Sequence, residues 1–338
     1  MTKTKALSAL ALAAAFVSPA FTASAETLRI QTHYAPETPS GKLAGQFVDD
    51  INVMSNGDLT IEMFYSSSVV KTVEAFDAAA TGILDCDMTG GAYQTGKNPA
   101  FQFVGDIMGG YDTPWQQYAW LYNGGFEQAD TLYAQHNMKL IGWWIYGQES
   151  LASTKPIAGI ADLKDWKFRS PPGMETDIFA SLGSKPIVMD FQEIFTALET
   201  GIIDGADASG LANNVGLGLY DIAGHANFPG FHSMPSDHLA CRKDKYDSLT
   251  ESQKRILDTA MQKLAFQTSL TFEVKNLEAK AMLEEKGVKI YEWSPEDRAA
   301  FRAAAQTQWD LWAAKTPEAD ALVTSHKAFM KTIGLIKG

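Results

Sequence analysis

The chain has 338 residues, 46% hydrophobic and 20% charged, which suffices for one large or two medium globular units and excludes disorder as the main state. Its 28 Lys and Arg against 40 Asp and Glu leave a formal charge of -12, the wrong sign for a nucleic-acid or polyphosphate partner, which needs a basic surface to release counterions. A small acid is not excluded, because one buried arginine outweighs distant charges screened beyond about 8 to 10 Å.

The N-terminus reads basic (MTKTK), then apolar (ALSALALAAAFVSPAF), then Ala23-Ser24-Ala25, the small-x-small pattern of a signal-peptidase site. Residues 1–25 are therefore expected to be a secretory signal. The apolar run is short and broken by Ser18-Pro19, so it does not make a span of about 20 apolar residues. The mature chain is then an exported protein, placed in the bacterial periplasm. In an oxidising compartment the two cysteines, Cys86 and Cys241, either pair or remain as buried thiols, and the sequence leaves both open.

Residues 27–32 alternate as a strand with Leu28 and Ile30 on one face. Ser40 is placed to cap a helix carrying Leu43, Phe47, Ile51 and Met54 on one side, and Leu59, Ile61 and Met63 alternate as a second strand. An internal echo follows: EAFDAAATGILDCDM at 74–88 aligns with EIFTALETGIIDGAD at 193–207, with 7 of 15 positions identical where chance gives about one. Each copy reads as a helix with Phe76 or Phe195 on its apolar face, stopped by Gly82 or Gly201, then a strand. The segment before the second copy repeats the plan: strand 166–169, helix 174–182, strand 186–189, and Gln192 opening the repeated helix.

Two α/β lobes result, 26–147 with part of about 237–265, and 148–236 with the C-terminal helices to 338. The stretch 251–285 is long enough as a helix to cross between them. Open α/β sheets place ligands beyond the carboxyl ends of their strands. Arg169 stands at such an end in WKFRSPPG (166–173), where Pro171 and Pro172 fix φ and Gly173 permits a sharp exit. Its planar fork matches a carboxylate with two parallel charge-assisted bonds. His33, Tyr93 and Asp207 follow strands at the same edge, so their loops converge on one cleft if the lobes face each other. Tyr93 reaches a ligand oxygen or packs against backbone; His33 donates to an anion or sits in a solvated loop. In LIGWWIYG (140–147) alternate side chains face opposite ways, so at most one of Trp143 and Trp144 sees the cleft.

His225, His232, Asp237 and His238 offer zinc-type ligands, but their spacing fits no helical or hairpin pattern and Pro229 and Pro235 intervene. No Gly-x-Ser-x-Gly elbow occurs. An exported metal-dependent hydrolase is thus the remote alternative to a binding protein.

Four stretches, TGKNPAF (95–101), ADLKDWKFR (161–169), ALETGIIDG (197–205) and LGLYDIAGHANFPGFH (217–232), resemble the solute-binding proteins of TRAP transporters, the DctP family, and within it the branch that binds 2-oxo acids. The resemblance runs over residues 27–330. It implies a two-lobed periplasmic binding protein fold, type II-like, with a long helix linking the lobes, and no enzymatic activity or cofactor. It also implies a 2-oxo or 2-hydroxy monocarboxylate as cargo and TRAP permease subunits as membrane partners. A dicarboxylate, aromatic acid or ectoine-like zwitterion is the alternative cargo. The family's arginine at the end of ADLKxxKFR pairs with the ligand carboxylate, implying that role for Arg169, and an upstream glutamine lining the site implies Gln148. Where the branch carries a glutamate and a tryptophan that help hold a cation and the ligand, this chain has Asp207 and Ala208, and Ser233 replaces a further acidic ligand. A cation beside Asp207 is therefore disfavoured, since hard cations want several oxygens. Some relatives dimerise through a C-terminal helix; the oligomeric state here is left unassigned.

Overall fold

The computed structural model describes residues 25–336; all but the last residue of the expected signal lies outside the described residues. Eleven strands are described: β1 (Glu26–Thr32), β2 (Leu59–Phe64), β3 (Cys86–Met88), β4 (Met138–Trp144), β5 (Ser150–Ser153), β6 (Lys167–Ser170), β7 (Lys185–Val188), β8 (Gly205–Ser209), β9 (His225–Asn227), β10 (Asp237–Arg242) and β11 (Lys289–Tyr291). They form two sheets, β2-β1-β3-β10-β4 and β11-β9-β5-β8-β6-β7. β1 lies parallel between β2 and β3 as β6 lies parallel between β7 and β8, with one antiparallel strand, β10 or β5, added beyond each trio.

The internal echo has a local cause. Asp85 clamps β1 at Arg29, its Oδ2 accepting from the Arg29 N–H at 2.9 Å while its own N–H donates to the Arg29 carbonyl at 2.9 Å. Asp204 does the same for β6, accepting from the Lys167 N–H at 3.2 Å and donating to its carbonyl at 2.6 Å. The preceding helices, Ala75–Thr81 and Ile194–Glu199, run into Gly82 at φ 92° and Gly201 at φ 72°, left-handed positions that cost glycine nothing. The copies differ at one expected core position: Phe76 is buried, whereas Phe195 is 38% exposed and Phe191 and Ile194 fill the core in its place.

Helix Pro39–Ser55 buries Leu43, Phe47 and Ile51 as the periodicity requires, but Met54 is exposed. Its cap is Thr38, whose Oγ1 accepts from the Gly41 N–H at 3.0 Å; Ser40 sits inside the first turn and bonds Asn213 of the second lobe. Cys86 and Cys241 face each other across β3 and β10 and form a disulfide, so pairing is the alternative the fold adopts.

Helix Glu251–Glu285 opens with a Thr250/Gln253 capping box and runs from β4 and helix Pro39–Ser55 of the first lobe to helix Leu211–Gly216 and β11 of the second. The C-terminal pair departs from the sequence expectation. Pro295–Ala313 packs on helix Met174–Ser181 of the second lobe, but Pro317–Thr332 reaches back to Phe101–Gly105 of the first, so the pair straddles both. His326 anchors that return, bonding the Phe103 carbonyl at 2.7 Å.

The chain also crosses between sheets at 145–149 and 228–236, and the crossings touch: a Cβ on Gly230 would lie 2.0 Å from the Glu149 carbonyl oxygen. These touching crossings form the hinge region between the two sheets.

Candidate ligand site

A cavity of about 50 Å³ lies between the lobes at the carboxyl ends of β1, β3, β6 and β8. Direct bonds cross the cleft around it. Gln192 Nε2 donates to the His33 carbonyl at 2.8 Å, Asp190 accepts from the Thr72 N–H at 3.1 Å, and Gln102 Oε1 accepts from the Met174 N–H at 2.9 Å. The last caps the helix that follows Pro171-Pro172-Gly173. Gly173 is at φ 126°, and a Cβ there would come 2.4 Å from the Gln102 side-chain oxygen, so glycine is required for this close approach.

Arg169 is 1% exposed and forms part of the cavity wall. Its Nη1 donates to the Asp207 carbonyl at 2.8 Å, its Nε to the Met189 carbonyl at 3.3 Å, and the guanidinium sits 5.8 Å from the Phe191 ring. Nη2 is buried without a partner. Burial opposes the charge, but Tyr93, Asp207 and Glu175 more than offset it and hold the guanidinium above its ordinary pKa. Two backbone bonds thus fix the fork and leave Nη2 unpartnered at the cavity wall, which is the preorganisation that a carboxylate needs. Tyr93 lies beside the guanidinium and helps to hold its charge. His33 is buried rather than solvated, with Nδ1 unpartnered; burial and then Arg169 lower its pKa to about 3, so it meets a ligand as neutral imidazole.

The remaining wall is acidic. Asp106, Glu149, Glu175, Asp207 and Asp237 all line the cavity and all are buried. Asp207 Oδ1 pairs with His232 Nε2 at 3.1 Å, and Glu149 Oε1 accepts from the Tyr146 hydroxyl at 2.7 Å. Burial raises the Asp207 pKa, but the bond and field of His232, with bonds from Glu175 and Glu149, bring it below the usual range. Glu149 and Glu175 go the other way: burial first, then the neighbouring Asp207 charge, push both well up. Asp106 and Asp237 are raised to about 7, chiefly by burial. Ser233 Oγ donates to Asp106 at 2.6 Å, and the Tyr34 hydroxyl to Asp237 at 2.9 Å.

Of the expected site residues, Arg169, Tyr93, Asp207 and His33 meet in the cavity and Gln148 does not. Gln148 Nε2 donates to the carbonyls of Tyr111 at 3.1 Å and Asp112 at 3.3 Å, facing a groove behind the hinge. The next residue, Glu149, lines the cavity instead. Gln148→Ala is accordingly expected to leave carboxylate affinity within about threefold of wild type, less than one neutral hydrogen bond is worth, by calorimetry. Trp143 and Trp144 do alternate, but into the cores on the two sides of β4, and neither lines the cavity. The histidines singled out for zinc also separate. His225 bonds Tyr291, His238 bonds Asp87 and Tyr133, and His232 backs Asp207.

A rigid charged fork and a ring of acids enclosed between two α/β lobes define a ligand-clasping binding protein. Residues 30–316 match the family described as bacterial extracellular solute-binding protein, family 7 (DctP), and the chain belongs to it. It is a family of transport proteins, not enzymes. The chain is 28% identical over 295 residues to a monocarboxylate 2-oxoacid-binding periplasmic protein of Nostoc sp., covering 83% of this chain and 77% of that one. A TRAP periplasmic solute binding protein from Rhodobacter sphaeroides in an apo open structure is 30% identical, with TM-score 0.73 over 93% of this chain and 100% of that one. One from Colwellia psychrerythraea with bound calcium and pyruvate is 24% identical, with TM-score 0.81 over 91% and 95%.

The acidic wall raises the question whether these residues suit a hard cation. Glu149, Asp207 and His232 offer atoms within 4.8 Å of one another, the one such grouping among the described residues. His232 is an imidazole already turned onto Asp207 and does not line the cavity. With Tyr146 and His232 each occupying one oxygen, the carboxylates of Glu149, Asp207 and Glu175 have at most four left to offer. Calcium takes about six to eight oxygens, so these carboxylates match its charge but not its coordination.

Proposed function

We propose that this chain is the periplasmic solute-binding protein of a TRAP transporter, capturing a small monocarboxylate with its carboxylate on Arg169 and delivering it to the membrane permease. The observation that carries the reading is the buried, unpartnered Nη2 of an arginine otherwise locked to backbone carbonyls at the cavity wall. The Nostoc relative's name and the pyruvate in the Colwellia structure support the skeleton of a short 2-oxo or 2-hydroxy acid.

Size and charge narrow the class. At about 10 to 15 Å³ for each water, a cavity of about 50 Å³ has room for roughly three to five waters, which suits a short acid and not a sugar acid. A second carboxylate on the cargo would face Glu149, Asp207 and Glu175, which disfavours dicarboxylates. Because walls from both lobes meet only when the cleft is shut, the ligand shifts the population toward the closed form by its differential affinity for it. Among the described residues no helix is long and apolar enough to cross a membrane.

A thermal-shift screen of short mono- and dicarboxylates tests the reading. A true ligand at about 100 times its Kd adds about 2.7 kcal/mol of stability. Stabilisation by short monocarboxylates that is lost in Arg169→Lys is the expected result; a response to dicarboxylates or sugar acids alone would overturn it.

A further inference from the structure

Two residues that line the cavity each carry a buried polar atom without a partner, Nη2 of Arg169 and Oε1 of Glu175. Glu175 lies in the first turn of helix Met174–Ser181, directly after the stiff Pro171-Pro172-Gly173 loop, and is 2% exposed. Asp207 stands beside it on β8, with Glu149 from the hinge crossing on its other side. One fork therefore opposes a three-carboxylate wall in which Asp207 is the ionised member and Glu149 and Glu175 hold protons, kept there by burial and by the Asp207 charge.

We propose that the cargo is a small zwitterion, an amino acid whose carboxylate docks on Arg169 and whose ammonium group sits among Glu149, Glu175 and Asp207. The inference rests on the monocarboxylate reading and specifies the group beside the carboxylate. A 2-oxo oxygen only accepts hydrogen bonds, and the protons held by Glu149 and Glu175 are already directed to Asp207. A 2-hydroxyl supplies one donor and no charge. An ammonium supplies three donors and one positive charge to a wall of three carboxylates that includes the unpartnered Glu175 Oε1. Buried carboxylates are tolerated when paired and hydrogen-bonded, and a ligand cation provides both without the six to eight oxygens that calcium would need.

The test is calorimetry on the mature full chain with matched 2-oxo, 2-hydroxy and 2-amino acids of two to five carbons. Each is measured with EDTA and with added calcium, in two buffers of different ionisation enthalpy. The expected result is an amino acid that binds at least about tenfold tighter than its oxo and hydroxy counterparts in EDTA, with proton release as its ammonium displaces protons from the carboxylates. Glu175→Gln should bring the three within about threefold of one another, through loss of a charge-assisted partner. If that variant fails to fold, the wild-type proton count still decides. A 2-oxo or 2-hydroxy acid binding tighter than its amino counterpart, with or without calcium, would overturn the zwitterion and leave the monocarboxylate reading standing. Binding by no member of any set would sink both.

Discussion

Arg169→Lys is expected to weaken ligand binding by about 1.5 to 3 kcal/mol, roughly 10- to 150-fold, with the ligand-free protein still folded. The cause is geometric. Arg169 uses Nε and Nη1 to hold the carbonyls of Met189 and Asp207 while Nη2 stays free for a ligand. A lysine brings all of its donors to one point, so it either keeps those carbonyls or presents itself to the carboxylate. Its compact ammonium is also more strongly hydrated than a guanidinium, so placing it in a cavity this closed costs more. Calorimetry of the best ligand against wild type and variant reads the effect, and a melting curve without ligand separates it from misfolding. Unchanged affinity would remove Arg169 from the site and with it the proposed function.

How much of this site could be read from the residues follows from what each signal depends on. Arg169 was legible because a strand end, a locked Pro-Pro-Gly exit and a charged fork coincide within eight residues. The two-lobed plan was legible because the echo keeps its glycine and aspartate, and both have backbone jobs: Gly82 and Gly201 turn left-handed, and Asp85 and Asp204 clamp β1 and β6. Phe195 broke the pattern because periodicity marks a helix face without saying what covers it. The acidic wall was the larger loss. Glu175 reads in sequence as an acid favouring a helix N-terminus, and only the facing of the lobes sets it beside Asp207. Glu149 was missed by one residue, since the resemblance pointed to Gln148 and nothing local to a turn-like hinge fixes which neighbour faces inward. His232 was weighed as a metal ligand beside His225 and His238, yet its partner, Asp207, is 25 residues away in sequence.

The acids that make the cleft selective also make the ligand-free protein sensitive to alkali, and between pH about 6.5 and 8 its stability is expected to fall by about 2 to 4 kcal/mol. Asp106 and Asp237 titrate at about 7 when folded against an ordinary value of 3.8, and Glu149 and Glu175 are pushed well above 4.5. Above the unfolded pKa the folded chain holds protons that the unfolded chain has released, so stability is lost as pH rises through the folded values. His33 and His326, lowered to about 3 by burial, act with the opposite sign, but only below about 6.5, where the unfolded imidazole takes up a proton. Depressed Asp207 is ionised in both states throughout this range and adds a constant. The window from 6.5 to 8 thus isolates the raised acids, at up to about 1.4 kcal/mol per proton per pH unit. Asp237→Asn keeps an acceptor for the Tyr34 hydroxyl while removing one titrating group, so its stability should fall less steeply. Urea denaturation midpoints at several pH values measure both slopes. A stability that rises across the window, or an Asn variant as pH-sensitive as wild type, would mean that these carboxylates are hydrated and ionised in the folded protein, and that the cleft is not closed around them.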